Sequence, residues 1–178
     1  LGVNMHVAMN VNFIHELLHG TAWQQGYLEA IRETQGILSF LVITFLAGRS
    51  EPRVAAFMLV LVGVGLAAYA RVASIPQLIM ASLVWSFGFH VWVPISGSLQ
   101  LALARRGHEG RALGWMGSVG AAGVLAGLAL VWLLKRYAGL GMRDLFALGG
   151  VLTALGALPL TFLPDVRAPR LAGVAHWG

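Results

Sequence analysis

His15, Glu16 and His19 stand in the order H-E-x-x-H, within the run HELLH. On one helix this spacing puts two imidazoles on the same face, where they can hold zinc while the glutamate activates a water. A catalytic zinc needs a third protein ligand, and the remaining acids are few. Glu29 and Glu33 lie close by, Glu51 and Glu109 fall in loops expected at the opposite face, and Asp144 and Asp165 fall at helix ends. Gly20 follows at once, so a helix through the motif is expected to end at its second histidine. The preferred reading is a turn at a membrane boundary with no metal, and an intramembrane zinc metallopeptidase using His15, Glu16 and His19 is the alternative.

A second set of groups suggests binding rather than hydrolysis. Glu29, Arg32 and Glu33 are spaced i, i+3 and i+4, so a helix shows all three on one face. In an apolar setting such groups are costly, and each is a candidate for a substrate or proton pathway; the competing reading is a structural ion pair. Glu33 is the candidate proton-coupling carboxylate. Asn10 and Asn12 can donate and accept hydrogen bonds to a polar solute or can bridge helices. His90 sits among Phe89, Val91 and Trp92, and Trp85, Phe89 and Trp92 recur at helical spacing. A proton relay at His90 competes with a packing histidine, and the aromatic stripe reads mainly as packing.

These residues are set in a chain built for lipid. Residues 54–70 hold 17 positions without Asp, Glu, Lys or Arg, 112–134 hold 23, 145–163 hold 19, and 72–104 hold 33. About 20 apolar helical residues cross the ~30 Å hydrocarbon core of a bilayer. Hydrophobic residues make up 58% of the 178 and charged residues 11%, with mean hydropathy +0.77. This composition excludes disorder and an ordinary soluble fold. The net charge of +5 lies in short clusters between apolar runs, the pattern of topology anchors rather than of nucleic-acid binding. With no cysteine, disulfides and thiolate metal sites are excluded.

The expected fold is all-α: a polytopic bundle of six transmembrane helices at about 2–18, 23–48, 53–70, 76–104, 112–134 and 145–163, as a helix satisfies its own backbone in lipid. Residues 1–163 form this domain and 164–178 a cytoplasmic tail or linker. Pro94 is expected to kink the fourth helix. Gly120, Gly123 and Gly127 share a face of the fifth, where close helix packing is expected. Trp23, Tyr27, Trp132 and Tyr137 fit an interfacial aromatic belt. Arg49, Arg53, Arg105, Arg106, Arg111, Arg167 and Arg170 fall on one side; Arg71, Lys135, Arg136 and Arg143, with Arg32 inside the second helix, fall on the other. Basic residues favour the cytoplasm, so both termini are expected inside. The chain begins at Leu1 rather than Met and reads as a fragment.

From Asn12 onward, over nearly all of its length, the chain resembles the N-terminal half of a major facilitator superfamily transporter. Residues 21–36 (TAWQQGYLEAIRETQG) are similar to the start of that family's second helix. Residues 46–53 (LAGRSEPR) occupy the place of its loop between helices two and three. Residues 93–97 (VPISG) and 109–123 (EGRALGWMGSVGAAG) resemble its fourth helix, the following loop and a glycine-rich fifth helix. The family loop reads G-x-x-x-D-R-x-G-R-R. Here Gly48 stands at the aspartate, Arg49 keeps the arginine, and Glu51-Pro52 replace the glycine and a basic residue. The resemblance implies a secondary active transporter, not an enzyme, moving a small-molecule solute by alternating access. Nothing in the chain resembles a phosphate-binding loop, so an ion gradient is the expected drive. It further implies no cofactor, a gating loop containing Gly48, Arg49 and Arg53, and a bacterial-type inner or plasma membrane. Its expected partners are the lipid bilayer, the solute and a missing C-terminal six-helix half, with no nucleic acid. A non-transporting membrane scaffold is a second alternative.

Overall fold

The computed structural model describes residues 2–167. Arg170 and the expected tail from 168 onward lie outside the described residues. Six α-helices follow in order: α1 (Gly2–Asn12), α2 (Ala22–Leu46), α3 (Glu51–Ala68), α4 (Ile75–Leu103), α5 (Glu109–Tyr137) and α6 (Met142–Leu155). Among the described residues there is no strand. A π-helical turn, Phe13–Leu17, prolongs α1, and 3-10 turns follow α3 and α6 at Tyr69–Arg71 and Leu158–Phe162. Four segments are long and apolar enough to cross a membrane: Glu51–Arg71, Ile75–Leu103, Glu109–Tyr137 and Met142–Phe162. Helix α2 has the length, 25 residues, but carries Glu29, Arg32 and Glu33. Helix α1 has 11 residues and holds Asn4, His6 and Asn10.

Local chemistry explains the boundaries. The Thr21 hydroxyl accepts from Gln24 N, and the Gln24 side chain accepts in turn from Thr21 N, so two donors at the start of α2 are satisfied reciprocally. Pro52 and Pro76 stand in the first turns of α3 and α4, where a missing N–H costs nothing. Gly107 and Gly139 adopt φ of +81° and +64° on the two sides of α5, a region open to glycine without strain. Arg143 caps a helix end: its Nη1 donates to the carbonyls of Ala70 and Val72, 3.1 and 2.6 Å away, beyond the end of α3.

Helix α3 is central and packs on both α4 and α6; α2 packs on α4, and α1 on α5 and α6. Small residues set these approaches. A Cβ added at Gly63 would stand 2.6 Å from Gly150 O, and one at Gly150 would stand 2.5 Å from Gly63 O, so α3 and α6 cross backbone to backbone. A Cβ at Gly88 of α4 would lie 2.6 Å from Met58 O of α3. Lipid offers no hydrophobic gain for helix association, so van der Waals closeness at small residues replaces it. The core follows this seam: Met5, Phe13, Leu66, Tyr69, Trp85 and Phe146 are buried toward one end, and Ala55, Met58, Val91 and Ile95 toward the other.

The fifth helix corrects one expectation. Only Gly127 and Val131 are buried along α5, and Cβ atoms at Gly114, Gly117 and Gly120 would meet nothing within 4 Å. Close glycine contacts fall instead on α1, α3, α4 and α6, at Gly2, Gly63, Gly88 and Gly150, while on α5 only Gly127 of the three expected glycines is buried. Helix α4 also runs unbroken through Pro94. Gly150→Val is expected to lower bundle stability by about 1–3 kcal/mol through overpacking. Gly117→Val, facing open space, is expected to leave the melting temperature of the detergent-purified protein nearly unchanged. Equal losses in the two variants would refute this account of the seam.

Candidate functional site

The ionisable groups of α2 meet α4 at its middle. Arg32 is paired with Glu29 through both guanidinium nitrogens, and its Nη2 lies 3.3 Å from Glu33 Oε1. The guanidinium carbon sits 5.0 Å from the centroid of the Trp85 ring, a cation–π contact that gains strength where water is scarce. Glu33 reaches past the arginine, its Oε2 lying 3.5 Å from His90 Nε2. His90 is 15 residues from Ile75 and 13 from Leu103, at half the length of α4. Arg32 and His90 are mostly enclosed, with side chains 19% and 20% exposed, whereas Glu33 is 61% exposed.

The backbone of α4 fixes the state of the histidine. His90 Nδ1 lies 2.9 Å from Ser86 O and 3.1 Å from Ser86 Oγ. A carbonyl only accepts, so Nδ1 carries the proton in this contact. The lone pair of a neutral ring is therefore on Nε2, facing the Glu33 carboxylate. Gly36 makes room for this ring: a Cβ there would stand 3.0 Å from His90 Cδ2. Ser86 Oγ also reaches Arg32 O at 3.4 Å, a further link between the two helices.

Also beside Trp85 lies a group that sequence reasoning passed over. His6 is buried, its ring centroid 4.7 Å from that of Trp85, 5.0 Å from Tyr69 and 5.5 Å from Phe146. Tyr69 Oη is 2.5 Å from Ser82 Oγ and accepts from Trp85 Nε1 at 3.2 Å, which fixes the indole. Among the described residues His6 Nδ1, Asn10 Oδ1, Arg32 Nε and Gln35 Oε1, together with Glu51 Oε2 at the start of α3, are buried without a hydrogen-bond partner. His6 and Asn10 are four residues apart, and Arg32 and Gln35 three, so each pair shares a helix face. The signal available in the sequence was His6 standing one turn before Asn10.

The remaining candidates are placed as follows. Asn12, expected beside the charged face, is exposed at the end of α1 and joins no contact of the cluster. Gly48, at φ +81°, Arg49 and Arg53 lie between and at the start of helices α2 and α3, away from Trp85. The HELLH run does not form the helical face a zinc pair needs. It winds as a π-helix that ends at Leu17, and His19 lies beyond with φ +50°. His15 Nε2 instead contacts Gln25 Oε1 at 3.1 Å. Among the described residues no three His, Asp or Glu side chains converge as metal ligands would.

No protein-family model matches the sequence, and no curated protein matches it either. The site therefore rests on its own geometry. Arg32→Ala is expected to destabilise the protein by about 1–3 kcal/mol, less than the 3–5 typical of a fully buried pair, since Glu29 and Glu33 keep partial exposure. Gly36→Val is expected to push His90 away from Glu33 and to remove any thermal destabilisation caused by His90→Gln in the native background. Additive effects of the two changes would show that the glycine does not position the ring.

Proposed function

We propose that the chain is half of a secondary active transporter, a six-helix membrane bundle that moves a small polar solute by alternating access. One observation carries the reading: buried polar atoms of α1 and α2, at His6, Asn10, Arg32 and Gln35, have no protein partner, and the first and third lie beside Trp85. Buried polar groups are almost always hydrogen-bonded, so such a seam suits water and a solute with donors and acceptors. Its place supports this too, because His90 lies at half the length of α4 and transporter sites lie near the bilayer midplane between repeats.

In this reading Trp85 forms the floor of the site, Arg32 orients an acceptor of the solute, and Asn10 and Gln35 supply neutral hydrogen bonds. Glu33 and His90 hold and release the coupling proton, with Ser86 O keeping Nδ1 protonated so that Nε2 is the nitrogen that exchanges. Helices α1 and α2 complete six spans by turning polar faces inward, where neighbours spare them contact with lipid. A second six-helix half closes the exposed side of Glu33. The arginine bias puts both termini in the cytoplasm of a plasma membrane, and Gly48, Arg49 and Arg53 form the gating loop.

Proteoliposomes loaded with a pH-sensitive dye, containing this chain with its second half and challenged with pools of small polar solutes, are expected to acidify when a transported solute enters. Glu33→Gln keeps the shape and removes the titration, and is expected to abolish acidification while the protein remains folded. Undiminished acidification in Glu33→Gln would reduce the cluster to a structural ion pair. The absence of native cysteine allows a clean test of sidedness. His108→Cys and Ala138→Cys, at opposite ends of α5, are expected to react with impermeant maleimide from the cytoplasmic and outer sides respectively. The reverse pattern would overturn the proposed orientation.

A further inference from the structure

A pocket of about 540 Å³ opens where α2 turns into α3, far from Trp85. Arg49, Arg53 and Arg167 line it together with Leu46, Phe57 and Met58. The third arginine is brought there by the segment after α6: Glu51 N donates to Val166 O at 2.8 Å, holding that segment against the start of α3. One acid is near. Asp165 accepts from Arg167 Nη2 at 2.7 Å, and a hydrogen bond from Ser50, then Arg167, keep its carboxyl below the usual range. Asp165 thus offsets Arg167 in direct contact and Arg53 at longer range. Among the described residues neither Arg49 nor Arg53 has a carboxylate within 4 Å. Glu51 is buried, and its Oε1 accepts from Ser98 Oγ of α4 at 3.1 Å.

We infer that this pocket binds an anionic phospholipid, with its phosphate between Arg49 and Arg53 and an acyl chain along Phe57. The lining has the two parts such a ligand needs. Two guanidiniums with no carboxylate in contact, at a helix junction, match phosphate oxygens as bidentate forks. The apolar wall continues onto the lipid-facing side, where Phe57 is 59% exposed. A soluble phosphate would use the first part and leave the second idle, so a lipid is favoured over a free anion. Basic pockets between transmembrane helices are a recurrent headgroup site. The inference needs the chain to lie in a bilayer but not to transport anything.

The full chain, purified in detergent and stripped of endogenous lipid, tests this by native mass spectrometry with added phosphatidylglycerol or phosphatidylcholine. Phosphatidylglycerol is expected to be retained about 30-fold better, as two arginines near the headgroup provide. Arg49→Gln/Arg53→Gln is expected to bring the two lipids to near parity, and Phe57→Ser to weaken phosphatidylglycerol without abolishing its preference. Arg105→Gln/Arg106→Gln, equal in charge change but remote in sequence, is expected to keep the preference. Parity in the unaltered chain overturns the inference whether or not the variants fold. An equal loss in the Arg105/Arg106 variant overturns the pocket as its place. Displacement of the lipid by millimolar inorganic phosphate would show a free-anion site and overturn the lipid assignment.

Discussion

The rest of the structure depends on how closely α3 is allowed to approach α4 and α6. Gly63 against Gly150, and Gly88 against the Met58 carbonyl, leave no space for even a methyl group. In lipid this closeness replaces the hydrophobic gain that drives a soluble core. It also determines what can be built around the seam. Once the three backbones meet, Tyr69 at the end of α3 comes within reach of Ser82 and Trp85 on α4. The indole is then held by its own N–H, with Arg32 and His6 both close to its ring.

Helix α2 is attached differently. It has few buried residues and leans on α4 through a guanidinium over an indole, a glycine under an imidazole, and a long serine–carbonyl contact. These are polar, directional contacts on a helix whose other sides carry exposed Ile37, Phe40 and Phe45. The bundle thus has a tightly seamed part, α3 with α4 and α6, and a more loosely held helix beside it. The charged groups stand on the boundary between the two.

Much of this organisation was legible in the sequence. The charge-free runs marked four of the six helices, because lipid demands a composition that no soluble helix needs. The i, i+3, i+4 spacing placed Glu29, Arg32 and Glu33 on one face for the same geometric reason that the structure does. The aromatic stripe read as packing; Trp85 does pack, but it also links Arg32 to His6. That link was not legible, since it joins three helices far apart in the chain. The glycines misled in an instructive way. A regular repeat in α5 suggested close contact, whereas the contacts fall at Gly63, Gly88 and Gly150, whose effect comes from pairing across helices rather than from period. The HELLH run reads as a turn rather than a zinc pair, and a π-helical turn with a left-handed His19 removes the register that the zinc alternative assumes.

Pro94 lies inside α4 with no break in the helix. A proline has no N–H to give, and the carbonyl four residues earlier is that of His90. The residue whose ring faces Glu33 therefore also carries a main-chain oxygen with no helical donor. The rod is bound by one hydrogen bond fewer at its midpoint, one turn from the imidazole. Bending stiffness in a helix comes from that ladder, so α4 flexes most easily at this rung. The part of α4 before this rung packs through Trp85 and the part after it through Ile95, so a bend here would shift one packed cluster against the other.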